Sequence, residues 1–318
     1  MHLLCVLVVC LVTASSHAGY LLAWGGNERG QCDVPPGGDY IAIASGWYHN
    51  LALRSDGTVV GWGLNADGQC DAPAGHEFIA IEAGAEHGLG LTAEGTLVAW
   101  GGNEYGQCDV PTGNDFVAIS ADFRHNLALR ADGSIVGWGW NHSGMSDAPE
   151  GTDFVAVKAG YSSSLALKSD GSLTTWGHNA EGILNAPAGN DYVAIADFSY
   201  HSVALKGDSS LVAWGSNIDT HGRYTGAVDN APSGNDFVAA DSGETHTIAI
   251  RSNGTLVGWG SNIDYEGDYV GQADVPGGNG FLEVAGGRWH SLALVVPEPA
   301  SAVLLALAAG LLVRRRRP

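Results

Sequence analysis

A Trp-Gly pair recurs seven times along this 318-residue chain and constrains its fold more than any other feature. The pairs begin at Trp24, Trp62, Trp100, Trp138, Trp176, Trp214 and Trp259, so the first five intervals are 38 residues and the last is 45. A period in this range indicates a solenoid or a propeller, because each unit buries its apolar surface against the next.

Each unit is predicted to consist of strands and turns. Segments 40–44 and 49–53 are short apolar runs that contain large or β-branched residues. Asp-Gly pairs at Asp56, Asp132 and Asp170 separate apolar runs, as is typical of a two-residue hairpin turn. The 47 glycines and the low charged fraction of 15% fit short strands joined by tight turns.

The ends of the array predict a closed ring. The array opens halfway through a unit at 20–25 and stops halfway through another at 281–294. The two halves make one unit, as expected when the first strand of a propeller completes the last blade and removes the exposed edges. We therefore predict an all-β, seven-bladed β-propeller over residues 19–295, with six or eight blades as the alternatives.

The repeat resembles the regulator of chromosome condensation (RCC1) repeat. Gly46 to Leu53 match its G-x-x-H-x-x-A-L element, and Trp62 to Gln69 match its W-G-x-N-x-x-G-Q element. The short unit is closer to bacterial members, such as propeller-type β-lactamase inhibitor proteins, than to the longer eukaryotic repeat. The resemblance implies an interaction platform. One eukaryotic branch is a small-GTPase exchange factor on chromatin, a role that does not fit an exported acidic chain.

The N-terminus has the features of a secretory signal peptide. Residues 3–13 are almost entirely apolar, and Ser16-His17-Ala18 places small residues at the −3 and −1 positions of a cleavage site. We predict a signal peptide over residues 1–18, cut after Ala18, and hence export.

The C-terminal segment 296–318 resembles the PEP-CTERM sorting signal of Gram-negative bacteria. Pro297-Glu298-Pro299 precedes an apolar run over 300–313, predicted to be a helix, which is followed by Arg314, Arg315, Arg316 and Arg317. The resemblance implies an exosortase-type sorting enzyme as a partner, a transient membrane association through the tail, and delivery to the cell envelope or extracellular matrix. A simple C-terminal membrane anchor is the alternative, and its arginines would stay cytoplasmic.

The charge of the chain argues against nucleic acid as a partner. The formal net charge is −20, and without the four terminal arginines and Glu298 it is about −23, from 10 basic and 33 acidic residues. A protein this acidic repels the phosphate backbones of nucleic acids.

Residues that repeat in every unit are interpreted as scaffold, because a role shared by all blades is a structural one. The histidines are expected to bond backbone groups within their own blade, and the Trp-Gly tryptophans to pack between blades. Cys32, Cys70 and Cys108 are expected to be buried free thiols, with a disulfide from Cys70 to a neighbour as the alternative. The aspartates that follow these cysteines are expected to cap turns. No metal ligand set, cofactor or catalytic residue is predicted.

Positions that differ between blades are the candidate binding residues. The two residues before each histidine are expected to lie at one rim, where aromatic and Arg side chains favour binding. Those selected are Trp47, Tyr48, Phe123, Arg124, Tyr161, Tyr200, Arg288 and Trp289. Because blades one and seven are neighbours in a closed ring, Trp47, Tyr48, Arg288 and Trp289 are expected to form one patch.

Two related insertions lengthen the last Trp-Gly loops. Trp214 to Pro232 spans 18 positions and Trp259 to Pro276 spans 17, where the other units take 11. Insertions in single repeats often mark a functional face. Tyr224, Tyr265 and Tyr269 are expected to form a polar aromatic protrusion there.

The sequence therefore predicts an exported, non-enzymatic binding protein for a protein or polysaccharide at the envelope. A structural matrix component without a specific ligand is the alternative, and a polysaccharide lyase or hydrolase is a further one. Clustered carboxylates with a basic residue in a deep central pocket would favour the enzyme, whereas an aromatic rim would favour binding.

Overall fold

The computed structural model describes residues 19–179 and 182–296, which form seven three-stranded antiparallel sheets. The first six sheets each use three consecutive strands. Blade 1 consists of β2 (Tyr40–Ser45), β3 (His49–Arg54) and β4 (Val59–Gly63). Blade 2 consists of β5 (Phe78–Ala83), β6 (His87–Thr92) and β7 (Leu97–Gly101). Blade 3 consists of β8 (Phe116–Asp122), β9 (His125–Arg130) and β10 (Ile135–Gly139). Blade 4 consists of β11 (Phe154–Ala159), β12 (Ser163–Lys168) and β13 (Leu173–Gly177). Blade 5 consists of β14 (Tyr192–Asp197), β15 (His201–Lys206) and β16 (Leu211–Gly215). Blade 6 consists of β17 (Phe237–Ser242), β18 (His246–Arg251) and β19 (Leu256–Gly260).

The seventh sheet joins the two ends of the described chain. It consists of β20 (Phe281–Gly286), β21 (His290–Val295) and β1 (Tyr20–Gly25). Strand β1 pairs with β21 from Tyr20↔Val295 to Gly25↔His290. The predicted closure by two half-repeats is confirmed, and the seven sheets form a seven-bladed β-propeller.

The first strand of each blade lines the axis. These strands lie next to one another in an unbroken ring, β2 beside β5, β5 beside β8, and so on until β20 returns to β2. Each pairs with its middle strand through a register shift at the same place, as between Tyr40 and Ala42 in blade 1. The innermost side chains of seven blades therefore face one central channel.

The core lies between blades rather than within one of them. Leu51 and Leu53 of β3 are completely buried, and they pack against Phe78 and Ile81 of β5 and against Trp100 of the same next blade. Because a middle strand is covered on both faces, its residues are apolar without alternation. Full burial of each such side chain contributes about 1.5–3 kcal/mol.

The hairpin turn differs from the prediction by one residue. Arg54 N–H donates to Thr58 O over 2.8 Å, and Gly57 N–H donates to Arg54 O over 3.0 Å. The loop is therefore Ser55-Asp56-Gly57, with Gly57 at φ 81°. This is the three-residue hairpin with a left-handed Gly rather than a two-residue turn. Asp56 favours it by accepting hydrogen bonds from the amide and hydroxyl of Thr58.

The signal-peptide residues 1–18 and the sorting residues Pro297, Glu298, Pro299 and Arg314 to Arg317 lie outside the described residues. Val296, the first residue of the predicted tail, is buried and donates its N–H to Gly280 O. Within the described ranges, no helix has the length and apolar character needed to cross a membrane.

Candidate binding face

Two sets of loops lie side by side at one end of the propeller. In every blade the residue after the Trp-Gly pair donates its N–H to the carbonyl of the residue before the histidine position, as Leu64 does to Tyr48 over 2.8 Å. The antiparallel path of the strands brings both loops to the same end of the blade. We call these fourteen loops together the loop face.

Three aromatic rings from separate blades meet over the axis. The Trp47 ring stacks on Phe123, with centroids 4.9 Å apart and an angle of 24°, and lies 6.0 Å from Tyr161 at 10°. Phe123 and Tyr161 are 4.4 Å apart. These residues come from blades 1, 3 and 4, so the rings reach across the channel end. We call them the central stack; Phe123 is buried in it, and Trp47 and Tyr161 remain partly exposed.

Arg288 organises the patch expected from blades 1 and 7. Its guanidinium lies 4.4 Å from the Trp47 centroid and 4.3 Å from that of Trp289. It donates to Tyr48 Oη over 2.8 Å and to Glu244 Oε2 over 3.0 Å. Burial raises the pKa of Glu244, while Arg288 opposes that rise. The structure thus brings together all four residues of the predicted patch, and it adds Glu244; we call the five the Arg288 cluster.

The remaining two loop residues also lie on this face. The Arg124 guanidinium sits 4.6 Å from the Tyr105 centroid and 4.9 Å from that of Phe123, and it approaches Glu86 to 3.4 Å. Burial raises the pKa of Tyr200 to about 12. Tyr200 is half-buried, with its carbonyl bonded to Ser216 N–H at the start of the first insertion.

Only one of the three insertion tyrosines joins the aromatic surface. The Tyr265 ring contacts His221 at 4.4 Å and Trp289 at 6.3 Å between centroids. Tyr224 and Tyr269 are 59% and 68% exposed, and each donates its hydroxyl to an aspartate five residues further on, Asp229 and Asp274. The three tyrosines therefore do not form one protrusion.

The two insertions are equivalent hairpins with different charge. Insertion one (216–226) is closed by an Ile218–Tyr224 bridge, and insertion two (261–271) by an Ile263–Tyr269 bridge. Asp219 in insertion one accepts from Arg223 Nε over 2.7 Å. Asp264 in insertion two accepts from the amides of Gly267 and Asp268. A small open cleft lies between the insertions and is lined by Thr245 and Trp289 of the neighbouring loops.

Sequence reasoning missed a charged cluster on the inner strands. Its members are Glu82, Asp122, Lys158, Asp197, Asp241 and Glu283, and we call them the channel cluster. Lys158 Nζ lies 3.7 Å from Glu82 and 4.0 Å from Asp241. Burial raises the pKa of Asp197 to about 7 and that of Glu283 to about 8. The signal available in the sequence was a charged residue at inner-strand positions that hold mostly Ala, Ser or Gly in the other blades.

Asp122 and Asp197 lie where their strands reach the loop face, and they are only 3% and 5% exposed. Burial raises the pKa of the Asp122 carboxyl well above its usual range. Asp197 accepts hydrogen bonds from the Ser202 and Ser163 hydroxyls. The loop-face end of the channel cluster is therefore shielded from solvent.

Five of the six repeated histidines bond within the scaffold, but the expectation that each bonds backbone of its own blade is wrong. Their Nε2 atoms reach side chains of the next blade, as His290 reaches Asn50 over 2.8 Å, and Asn50 then donates to Gln31 O. His49 faces Gly88 in the next blade, and neither of its ring nitrogens has a hydrogen-bond partner among the described residues. The other pairs are His87 with Asn126, His125 with Ser164, His201 with Thr247, and His246 with Ser291. Burial lowers the pKa of His290 to about 3, so the ring is neutral.

The predicted inter-blade role of the tryptophans is confirmed. Each Trp-Gly indole donates to a carbonyl in the loop of the preceding blade, as Trp62 Nε1 does to Gln31 O over 2.9 Å. The cysteines Cys32, Cys70 and Cys108 are free and half-buried. The aspartate after each of them accepts from an Asn six residues earlier, as Asp33 does from Asn27. These aspartates cap the turn.

Comparison with known proteins agrees with this geometry. The family model for the regulator of chromosome condensation (RCC1) repeat matches residues 40–69, 78–107, 116–144, 154–183 and 237–266. This chain is an RCC1-repeat β-propeller. None of the curated proteins is similar enough to count as a match.

Three solved structures share the fold at low identity. Prp20p of Saccharomyces cerevisiae, described with its binding to Gsp1p and histones, is 19% identical with a TM-score of 0.72, over 93% of this chain and 96% of that one. Human WBSCR16 is 17% identical with a TM-score of 0.69, over 87% and 99%. The ectodomain of the Physcomitrella patens receptor kinase CR4 is 21% identical with a TM-score of 0.62, over 77% and 68%. At these identities the likeness extends to the fold alone.

Proposed function

We propose that this RCC1-repeat propeller is a non-enzymatic binding protein that recognises a polysaccharide or a protein through its loop face. The observation that carries the proposal is the convergence of the central stack and the Arg288 cluster around Trp47. Trp, Tyr and Arg side chains contribute most of the energy at binding surfaces, because they bury large areas and still offer polar contacts.

The distribution of variation supports the same face. Residues that repeat in every blade hold the blades together, whereas the loop-face residues differ from blade to blade. Both insertions also border this face, through the contact of Tyr265 with Trp289. A surface built from variable loops on a rigid ring is the usual arrangement for recognition.

The test is retention of defined polysaccharides and of envelope proteins on the immobilised chain. The double variant Trp47→Ala/Trp289→Ala removes the two nearest of the three aromatic rings around Arg288 and is expected to lose the retained partner. The control is Ile79→Ser, which changes a 40% exposed side chain at the opposite end of an inner strand. Equal retention by the double variant, with its fold intact by circular dichroism, would refute the loop face as the binding surface.

A second candidate function, a lyase or hydrolase, draws support from the channel cluster, which combines carboxylates with Lys158. Against it, Asp122 and Asp197, the carboxylates nearest the loop face, are buried. Loss of polysaccharide chain length on incubation with the protein, abolished by Lys158→Met and by Glu82→Gln, would establish the enzyme instead.

We also propose that the protein is exported and sorted to the cell envelope of a Gram-negative bacterium, from the motifs in segments 1–18 and 296–318. The mature protein is then expected to begin at Gly19. Replacing Pro297-Glu298-Pro299 by alanines is expected to leave the tail unprocessed by an exosortase. N-terminal sequencing and the intact mass of the envelope protein test both points.

A further inference from the structure

Three carboxylates converge where a loop of blade 7 meets insertion two of blade 6. Glu28 lies in the loop after β1, and Asp264 and Glu266 flank Tyr265 in the insertion. One carboxylate oxygen of each lies within 4.8 Å of the other two. None of the ion pairs between described residues includes any of the three. Like charges held this close repel one another unless a cation lies between them.

The buried member of this group has an oxygen without a partner. Asp264 is only 3% exposed, and its Oδ1 accepts the amides of Gly267 and Asp268. Among the described residues, none donates to its Oδ2. Burying a carboxylate is costly unless its charge is balanced by a cation or by hydrogen bonds.

Insertion one shows which kind of partner this oxygen takes. Asp219 is the equivalent of Asp264, and its Oδ1 likewise accepts two amides, those of His221 and Arg223. Its Oδ2 accepts the Arg223 Nε–H over 2.7 Å, in an ion pair. Insertion two has Asp268 at the position of Arg223, so a negative charge stands where the other hairpin has its cation. The carboxylate that Arg223 neutralises in one hairpin therefore needs a cation from solution in the other.

We propose that Glu28, Asp264 and Glu266 bind a calcium ion. Ca²⁺ takes about six to eight oxygen ligands at about 2.3–2.6 Å in a flexible geometry, and water completes the shell where the protein supplies fewer. Mg²⁺ suits the group less, because it requires a near-ideal octahedron at about 2.0–2.1 Å and gives up water reluctantly. Since two of the three carboxylates are exposed, we expect a Kd of about 0.1–1 mM, the range of extracellular calcium modules.

The bound ion joins two neighbouring blades at the edge of the loop face. Glu28 belongs to blade 7, whereas Asp264 and Glu266 belong to the hairpin of blade 6. Tyr265 stands between the two hairpin carboxylates and contacts Trp289, with centroids 6.3 Å apart. Calcium therefore holds insertion two, and Tyr265 with it, against the Arg288 cluster. Calcium binding is measured without a binding partner, so this site and the proposed function stand or fall separately.

The first test is calorimetric titration of the full chain with CaCl₂ and with MgCl₂. Calcium is expected to bind roughly tenfold more tightly than magnesium, and Glu28→Gln and Glu266→Gln are each expected to weaken calcium binding roughly tenfold. Glu104→Gln is the matched control, because Glu104 holds the equivalent place in the blade 2 loop. Glu94→Gln, in an exposed hairpin turn of blade 2, is a second control. Absence of calcium binding by the parent, or equal affinity in Glu28→Gln and Glu104→Gln, would overturn the proposal.

The second test replaces the ion by a side chain. Asp268→Arg gives insertion two the Asp–Arg pair of insertion one and is expected to remove the calcium site while the hairpin keeps its fold. With calcium at ten times its Kd, amide hydrogen exchange in 261–271 is expected to slow roughly tenfold in the parent, because opening of the hairpin releases the ion. Exchange in 216–226, whose aspartate is already paired, should not change. Equal slowing of both hairpins, or slowing of 261–271 in Asp268→Arg, would show a general effect of calcium on an acidic protein and would overturn the site.

Discussion

Replacing Glu283 by Gln is predicted to stabilise the protein at high pH and to change it little at low pH. Glu283 lies in the channel, where burial raises its pKa from 4.5 to about 8. Because the folded pKa exceeds the unfolded one, protonation of the folded state contributes stability that is complete below pH 4.5. This stability is lost as the pH rises through about 8.

The size of the effect follows from the difference between the folded and unfolded pKa values of Glu283. A difference of 3.5 pH units, from 4.5 to about 8, corresponds to at most about 5 kcal/mol at 1.36 kcal/mol per unit. The neighbouring Glu82, Asp241 and Lys158 side chains keep 22–28% exposure, so water within the channel reduces the penalty. We expect about 2–3 kcal/mol of free energy of unfolding between pH 5 and pH 9.

The assay is urea unfolding of the parent, Glu283→Gln and Glu94→Gln at several pH values over this range. The amide introduced by Glu283→Gln retains an oxygen for the Ile43 N–H, which in the parent donates to Glu283 Oε2 over 3.2 Å. The difference between Glu283→Gln and the parent should therefore grow with pH, whereas Glu94→Gln should run parallel to the parent. A constant offset at every pH would show that Glu283 ionises as freely in the folded protein as in the unfolded chain.

Three further predictions concern the scaffold. His290→Gln should reduce the loss of folding stability in acid. The folded pKa of His290, about 3, lies below the unfolded value of 6.5, so the parent loses stability as the pH falls from 6.5, by about 3 kcal/mol at pH 4. Parallel urea midpoints for variant and parent from pH 7 to pH 4 would contradict this. Burial raises the pKa of Cys70 to about 12. Its thiol should therefore react slowly with a disulfide reagent at pH 8 in the native protein and readily in urea. Equal reaction rates in the native and the urea-unfolded protein would be the contrary result. Gly63→Ala should lower the melting temperature more than Gly75→Ala, since both have positive φ but only at Gly63 would a Cβ meet the Tyr48 carbonyl, at 2.4 Å; equal losses would count against the steric argument.

The ring could be predicted because its determinants are local and repeated. The Trp-Gly spacing defines the blades, and the half-repeats at 20–25 and 281–294 define the closure. The Asp-Gly turns located the hairpins but missed the third loop residue. That residue depends on whether Arg54 pairs with Thr58, which residue types alone do not decide.

Contacts across the axis could not be predicted in the same way. Adjacency of blades 1 and 7 placed Trp47 near Arg288, but the stacking of Trp47 on Phe123 and Tyr161 depends on the radius of the channel end. Likewise Glu82, Lys158 and Asp241 are ordinary residues where they stand in the sequence. They become one cluster only when their strands are wrapped around the same axis.

The pairing of β1 with β21 also fixes an order of events. The first strand to be synthesised finds its partner only after about 270 residues have followed, since Tyr20 pairs with Val295. Blades 1 to 6 are each built from three consecutive strands and can form as the chain emerges. Blade 7 lacks one edge partner until β21 has been synthesised and pairs with β1. Contacts so distant in sequence form slowly. We therefore expect closure to be the last folding step, and until then the nascent protein carries an open edge that a second chain could occupy.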